Sequence, residues 1–130
     1  MTTLFWKGTV YILGGILRIG APGSFCDHLG ANGVNPRVIR IYDDGKLYDY
    51  AVDPDGEKTF ADAFGKPIIG SVPCYEEMKK QAVIEHKKFP HNRIIGWDFT
   101  VDEKYNVICM EYNSEQPGII QSQMALGPFF

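Results

Sequence analysis

The sequence predicts an α+β fold: a mostly antiparallel sheet with one main helix. In the last third of the chain, two stretches with alternating apolar residues flank a polar turn, as in a β-hairpin. A second hairpin is predicted around an Asp-Gly turn in the first half, and a segment with helical periodicity lies between the two. The 130 residues are 45% hydrophobic, which suffices for a core. Residues 1–130 are therefore expected to form a single domain.

The first half of the chain carries the strand pattern. Strands are predicted at residues 9–19, 38–42 and 46–52. The first of them is apolar on both faces, so we expect it to be central in the sheet. The other two flank Asp43-Asp44-Gly45, a favourable hairpin turn. Residues 53–69 contain two Gly and two Pro without a clear period, and they are expected to form an ordered loop with room for a short helical turn.

The helix is predicted to follow Ser71, its expected N-cap, and to continue to about Phe89. Pro73 suits the first turn of a helix, where a missing N–H is tolerated. Glu76 lies near the positive end of the helix dipole and is spaced to pair with Lys80. One face of this helix carries Tyr75, Met78, Ala82 and Phe89. That apolar face is expected to pack on the sheet.

The last third of the chain predicts two strands around residues 102–106. Antiparallel pairing with Asp102 facing Val107 gives one wholly apolar face, on which Trp97, Phe99 and Val101 lie opposite Tyr112, Met110 and Ile108. The other face then places Gly96, Asp98 and Thr100 opposite Asn113, Glu111 and Cys109. A slip of one residue would bring apolar side chains beside carboxylates, so the pattern favours this register.

Directly opposed carboxylates destabilise a sheet unless a cation lies near them. The oxygens of Asp98 and Glu111, with the neighbouring amide of Asn113, are suitable ligands for Mg²⁺ or Mn²⁺. These ions bind carboxylates together with substrate phosphates. The alternative is a solvated sheet face whose acids are paired by Lys or Arg.

Composition excludes several classes of function. The 13 Lys and Arg residues do not outnumber the 16 Asp and Glu residues, so nucleic-acid binding is not expected. No apolar stretch approaches the roughly 18 residues of a membrane span. The cysteines Cys26, Cys74 and Cys109 lack the spacing of a zinc or redox motif, and His28, His86 and His91 lack that of a metal site. We therefore expect a cytoplasmic protein with reduced thiols.

Residues 95–102 and 107–113, followed by Pro117-Gly118, resemble the C-terminal metal-binding segment of ATP-grasp ligases. The shared motif is an Asp, then Glu-x-Asn 13 residues later, then Pro-Gly. Further likeness is to the sugar-transfer-associated ATP-grasp family, found near polysaccharide and hexapeptide-transferase genes. It lies in residues 17–20, 25–28, 65–73 and 121–130.

This resemblance implies ATP and Mg²⁺ (or Mn²⁺) as cofactors. It implies that Asp98 and Glu111 bind Mg²⁺, and that Asn113 binds the second of two ions that bridge the ATP phosphates. It further implies that Arg18 contacts phosphate or an acyl-phosphate oxygen as a catalytic residue, and that Asp27 helps bind the cofactor. Asp27 is followed by His where the family has Asn. The alternative for Arg18 is a salt bridge to Asp27 or Asp98 at the end of a buried strand.

ATP-grasp ligases clamp the nucleotide between two lobes, and the lobe with the glycine-rich loop and its lysines is expected to be missing here. We therefore expect the Mg-ATP-phosphate-binding half of a carboxylate-amine ligase-like protein linked to polysaccharide or cell-envelope biosynthesis, with little ligase activity alone. The second hypothesis is a non-catalytic fragment or a small binding or assembly module that uses the acidic sheet face. Apolar surface left uncovered by the missing lobe would favour a homodimer or association with that lobe.

Overall fold

The computed structural model describes residues 1–19, 37–62 and 64–129. Its elements are β1 (Thr2–Trp6), β2 (Thr9–Ile19), β3 (Arg37–Ile41), β4 (Leu47–Val52), β5 (Lys58–Thr59), α1 (Tyr75–His86), β6 (Ile94–Val101), β7 (Val107–Asn113) and α2 (Ile119–Leu126). The strands form one seven-stranded sheet in the order β5-β4-β3-β2-β1-β6-β7, and the described pairings are all antiparallel. The predicted α+β class is confirmed, and β2 is central.

β2 joins the two halves of the sheet, because its first part pairs with β1 and residues 15–19 pair with β3. β2 changes its pairing partner from β1 to β3 between Gly14 and Gly15. Gly14 has a φ of 148°, which side chains disfavour, and a β-carbon there would press on Leu126 of α2. A β-carbon on Gly15 would overlap Tyr75 of α1. Because neighbouring strand residues point to opposite faces, the two helices cover opposite faces of the sheet.

Helix α1 is shorter than the sequence predicted. It begins at Tyr75 rather than after Ser71, because Cys74 takes the N-cap position in a left-handed conformation and no side chain caps the helix. It ends at His86, which is buried with the core residues Tyr75, Met78 and Ala82. The predicted Glu76–Lys80 pair is wrong. Glu76 instead pairs with Lys79 at 2.6 Å, one position closer on the same helix face.

Residues 53–69 contain tight turns and β5 in place of the helical turn that the sequence allowed. Asp53 accepts hydrogen bonds from the backbone N–H groups two and four residues later, and Asp62 repeats this arrangement. Gly56 and Gly65 supply the positive φ that each turn requires. The predicted hairpin turn at Asp43-Asp44-Gly45 is confirmed, since Gly45 also has positive φ and lies between β3 and β4.

The β6–β7 register is confirmed over its first three pairs, which place Gly96, Trp97 and Asp98 opposite Asn113, Tyr112 and Glu111. Beyond Asp98 the predicted pairs are wrong. Phe99 lies opposite Cys109, so Met110 is an extra residue in a β-bulge. The bulge turns Met110 outward, where it is 69% exposed, and Ile108 is also exposed. Val107 and Cys109 pack toward the core in their place.

The prediction of one main helix missed α2, and β1 was also not predicted. α2 is anchored by a buried hydrogen bond of 3.1 Å between the hydroxyls of Thr2 in β1 and Ser122 in α2. Neither helix of the described ranges has the length and apolar character to cross a membrane.

Candidate functional site

The predicted acidic pair is present: Asp98 of β6 lies directly opposite Glu111 of β7. Gly96 shares their face of the sheet, because it lies two residues before Asp98. A β-carbon on Gly96 would overlap the backbone oxygen of Pro117, which leads into α2. The acidic pair therefore lies on the α2 side of the sheet. The side chain of Asp98 is half-buried, at 30% exposure, whereas Glu111 is exposed.

Arg18 contacts this pair from β2. Its Nη2 lies 3.1 Å from Oδ2 of Asp98, and both side chains are half-buried, at 28% and 30% exposure. β1 lies between β2 and β6, where Thr2 pairs with Gly14 on one side and with Gly96 on the other. β2 and β6 both continue past Thr2, so the guanidinium reaches Asp98 beyond the end of β1. The salt bridge between Arg18 and Asp98, named above as a possible pair, is formed in this structure, and the contact of Arg18 with phosphate stays a prediction.

Asn113 completes the group. Its side-chain nitrogen donates a hydrogen bond of 3.1 Å to Oε1 of Glu111. Since that nitrogen is used by Glu111, the amide oxygen is the atom of Asn113 that could bind a cation. The structure thus brings together Arg18, Asp98, Glu111 and Asn113. Asp27, the remaining predicted site residue, lies in 20–36, outside the described residues.

Ionisation of Asp98 is disfavoured at this site. Burial raises the pKa of Asp98 above its ordinary value of 3.8, and the Arg18 guanidinium lowers it. The hydrogen bond with Glu111 and the negative charge of that residue raise the pKa again, whereas the amino group of Met1 lowers it. The net effect is upward, with burial as the largest cause, so the ionised form of Asp98 is disfavoured even with the Arg18 guanidinium in contact.

The amino group of Met1 also lies near Asp98. It donates a hydrogen bond of 2.9 Å to the carbonyl oxygen of Trp97. Burial is the main reason that its pKa falls to about 6, while Asp98 opposes this shift. At neutral pH this amine is therefore largely uncharged, and it contributes little positive charge to the acidic pair.

The donor set fits a hard divalent cation. Two carboxylates and an amide oxygen are the ligand types that Mg²⁺ and Mn²⁺ prefer. Within the described ranges no group of three or more His, Cys, Asp and Glu side chains could hold a metal. An ion here would therefore take its remaining ligands from water or from phosphate oxygens.

Two structural supports of this site were missed at the sequence level. Gly96 lets the Pro117-Gly118 segment approach β6 closely, and the hydrogen bond between Thr2 and Ser122 holds α2 against β1. A glycine inside a strand is a signal of close backbone approach and could have identified the first support. The hydroxyls of Thr2 and Ser122 are 120 residues apart in sequence, so no local sequence pattern predicts their contact.

An open depression of about 390 Å³ lies on the other side of the sheet, against α1. It is lined by Ile12, Asp43, Lys79, Lys80, Val83 and Ile84. Lys79 is held there by Asp43 and Glu76, at 3.1 Å and 2.6 Å. Asp43 and Lys79 thus pair with each other, Lys80 pairs with Glu77 at 3.9 Å, and the depression is separate from the acidic pair.

No protein-family model, curated protein or solved structure matches this chain.

Proposed function

We propose that the acidic face of β6 and β7 binds a divalent cation, Mg²⁺ or Mn²⁺, together with the phosphates of ATP. The observation that carries the proposal is the direct opposition of Asp98 and Glu111, in which Asp98 is half-buried and has a raised pKa. The likeness of the Asp, Glu-x-Asn and Pro-Gly residues to ATP-grasp ligases supports ATP as the phosphate source.

In this proposal Asp98 and Glu111 hold the cation, and the amide oxygen of Asn113 supplies a further ligand. The bound cation would neutralise the phosphate charge and stabilise the charge that develops on a transferred phosphoryl group. Arg18 is close enough to the pair to bind a phosphate oxygen once its salt bridge to Asp98 opens. Asp27 is proposed as a cofactor-binding residue on the resemblance alone.

The biological role that follows is the phosphate-binding half of a carboxylate-amine ligase-like protein, linked to polysaccharide or cell-envelope biosynthesis. Ligase activity would also require a nucleotide-clamping lobe. We place this protein in the cytoplasm as part of the same proposal, as the cysteine pattern of the sequence indicates.

Calorimetric titration tests the binding step. ATP is titrated into the protein with and without Mg²⁺, using the wild type, Asp98→Asn, Glu111→Gln and the control Glu103→Gln. Glu103 is an exposed residue of the same hairpin, and its substitution removes the same charge. We expect binding only with Mg²⁺, an affinity loss of at least about tenfold in the first two variants, and no change in the control. Absence of Mg²⁺-dependent binding at millimolar ATP would contradict the proposal.

A second candidate function, assembly through β7, is favoured by a different observation. β7 is the terminal strand of the sheet, and it exposes Ile108, Met110 and Tyr112. Its sequence contains none of the lysines or prolines that commonly protect edge strands, whereas β5, the opposite edge, has only two residues. We propose that β7 pairs with β7 of a second copy, which would make the protein a homodimer.

A further inference from the structure

We infer that a row of aromatic side chains at the β3–β4–β5 end of the sheet binds single-stranded nucleic acid, with bases stacked on the exposed rings and phosphates beside two cations. The aromatic row consists of Tyr42, Tyr48, Tyr50 and Phe60, and the cations are Arg40 and Lys58. In the sheet, β2 and β1 lie between this row and the acidic pair of β6 and β7. The inference is therefore independent of the proposed function.

Strand pairing places the aromatic row on one face of the sheet. Val52 of β4 lies opposite Val38 of β3 and opposite Lys58 of β5. Side chains two residues apart along a strand share a face. Since each lies two residues from one of these three positions, the face of Lys58 also carries Arg40, Tyr50 and Phe60. The remaining rings of the row, those of Tyr42 and Tyr48, join this face through their ring contacts.

The two rings at the ends of the aromatic row are the exposed ones. Tyr42 and Tyr48 stack with their centroids 4.0 Å apart and their planes at 17°. Tyr50 meets Tyr48 edge-on at 5.8 Å and Phe60 at 5.9 Å. Tyr42 is 47% exposed and Phe60 is 60% exposed, whereas the two inner rings are half-buried. The inner rings thus hold the outer rings in place, and the outer rings offer surface on which a ligand can stack.

Two cations lie against the inner rings. The guanidinium carbon of Arg40 is 5.0 Å from the centre of the Tyr48 ring, and Nζ of Lys58 is 4.3 Å from that of Tyr50. Asp49 acts electrostatically on Tyr42. Among residues 1–19, 37–62 and 64–129, however, neither cation forms a salt bridge with a carboxylate. Their positive charge is therefore available to a ligand anion beside the rings.

These features together define the ligand class. The exposed rings favour a ligand with flat rings, the cations favour negative charge, and the succession of rings favours a chain in which both repeat. Single-stranded nucleic acid meets all three conditions, whereas a duplex hides the faces of its bases. The 13 Lys and Arg residues against 16 Asp and Glu residues argue against binding through phosphates alone. Stacking supplies most of the affinity here, and it requires no surplus of basic residues.

The first experiment measures binding of a fluorescent oligothymidine of about 15 nucleotides by anisotropy, in a chelator so that no divalent cation takes part. The wild type is compared with Tyr42→Ala and Phe60→Ala, and circular dichroism verifies that each variant is folded. Tyr105→Ala and Phe64→Ala are the controls, because Tyr105 and Phe64 are 67% and 84% exposed and lie outside the row. We expect about tenfold weaker binding in the first two variants and no change in the controls. No binding by the wild type, or equal binding by all variants, would overturn the inference.

The second experiment separates the contribution of the bases from that of the charge, using the wild type and two exposed lysines. An abasic oligomer of the same length has the same phosphates without the bases, and we expect it to bind the wild type at least about tenfold more weakly. Lys58→Gln should lower the slope of log affinity against log salt concentration by about 0.7, with no change for Lys46→Gln, whose lysine pairs with Asp44. Equal binding of the abasic oligomer would show that charge alone is recognised and would overturn the inference. An unchanged slope in Lys58→Gln would overturn the role of the cations.

Discussion

The hydroxyl of Thr3 lies 2.7 Å from Nδ1 of His86, in a fully buried contact between β1 and α1. Trp97 donates its indole N–H to the same hydroxyl at 2.7 Å, and Nε2 of His86 lies 2.8 Å from the carbonyl oxygen of Asn92. Because a carbonyl can only accept, Nε2 carries the proton and Nδ1 accepts from Thr3. These hydrogen bonds give a partner to each of the buried polar groups named here, and they connect α1 to the sheet.

Substitution of His86 by Leu should therefore destabilise the fold strongly. The change leaves the Asn92 oxygen without its donor, and it leaves the O–H of Thr3 with only a weaker acceptor, the Ile95 oxygen at 3.4 Å. We expect a loss of about 2 to 4 kcal/mol in the free energy of unfolding, measured by urea denaturation. His91→Leu serves as the control because His91 is exposed. Equal losses in the two variants would show that the network adds no stability.

Gly96→Ala should disturb the candidate site from the α2 side. The added β-carbon would meet the backbone oxygen of Pro117, which cannot rotate away as a side chain can, so the segment before α2 must shift. We expect a loss of about 1 to 3 kcal/mol in unfolding free energy, together with weaker Mg-ATP binding. Gly15→Ala is the matched comparison, since its β-carbon would meet Tyr75 on the α1 side. It should destabilise the protein without changing Mg-ATP binding in the fraction that remains folded.

The acidic pair could be predicted from the sequence because strand alternation and hairpin register are local properties. The same reasoning predicted the wrong pairs beyond Asp98, where a bulge at Met110 shifts the register. The alternating pattern of β7 continues through Met110, so the sequence gives no sign of the bulge. It also misplaced the start of α1. Ser71 is a common N-cap residue, but it pairs with Lys46 in an isolated bridge instead.

Local sequence patterns could not decide which distant segments contact each other. The sequence suggested Asp27 or Asp98 as the partner of Arg18. The order of the strands is what brings Asp98 within reach of Arg18, beyond the end of β1. Helix α2 has eight residues, and such a short helix depends on tertiary contacts rather than on intrinsic propensity. Its buried bond between Thr2 and Ser122 is such a contact.

Met110→Lys should abolish self-association if β7 forms the dimer contact. A lysine on an edge strand opposes pairing with another strand, because its charge would have to be buried in the new sheet. We expect sedimentation to give a concentration-dependent dimer for the wild type and a monomer for Met110→Lys. Ile69→Lys is the control, since Ile69 is 84% exposed and lies outside the strands. A wild type that stays monomeric at high concentration, or a Met110→Lys dimer, would contradict the β7 interface.

The pH dependence of stability should carry opposite contributions from Asp98 and Asp102. The pKa of Asp98 is raised above 3.8, mainly by burial, so the folded protein binds this proton more tightly than the unfolded chain does. The stabilisation from protonated Asp98 is therefore complete below about pH 3.8 and is lost as the pH rises through the raised pKa. Hydrogen bonds from Asn106 lower the pKa of Asp102 below 3.8, so its contribution is present above that value and is lost as the pH falls.

Unfolding free energies measured between about pH 3 and pH 7 can separate these contributions. The difference between Asp98→Asn and the wild type should grow in favour of the variant as the pH rises above about 3.8, because the variant has no carboxyl to ionise. The corresponding difference for Asp102→Asn should instead move against the variant as the pH rises through the lowered pKa. The amide oxygen introduced by Asp102→Asn can still accept the backbone hydrogen bonds of Lys104 and Asn106, whereas the bond from the Asn106 side chain to Oδ2 is lost at every pH. The pH-dependent part of this second difference therefore reports the charge. Parallel curves for Asp98→Asn and the wild type would show that folding does not disfavour ionisation of Asp98, and would remove the electrostatic argument for a cation at this site.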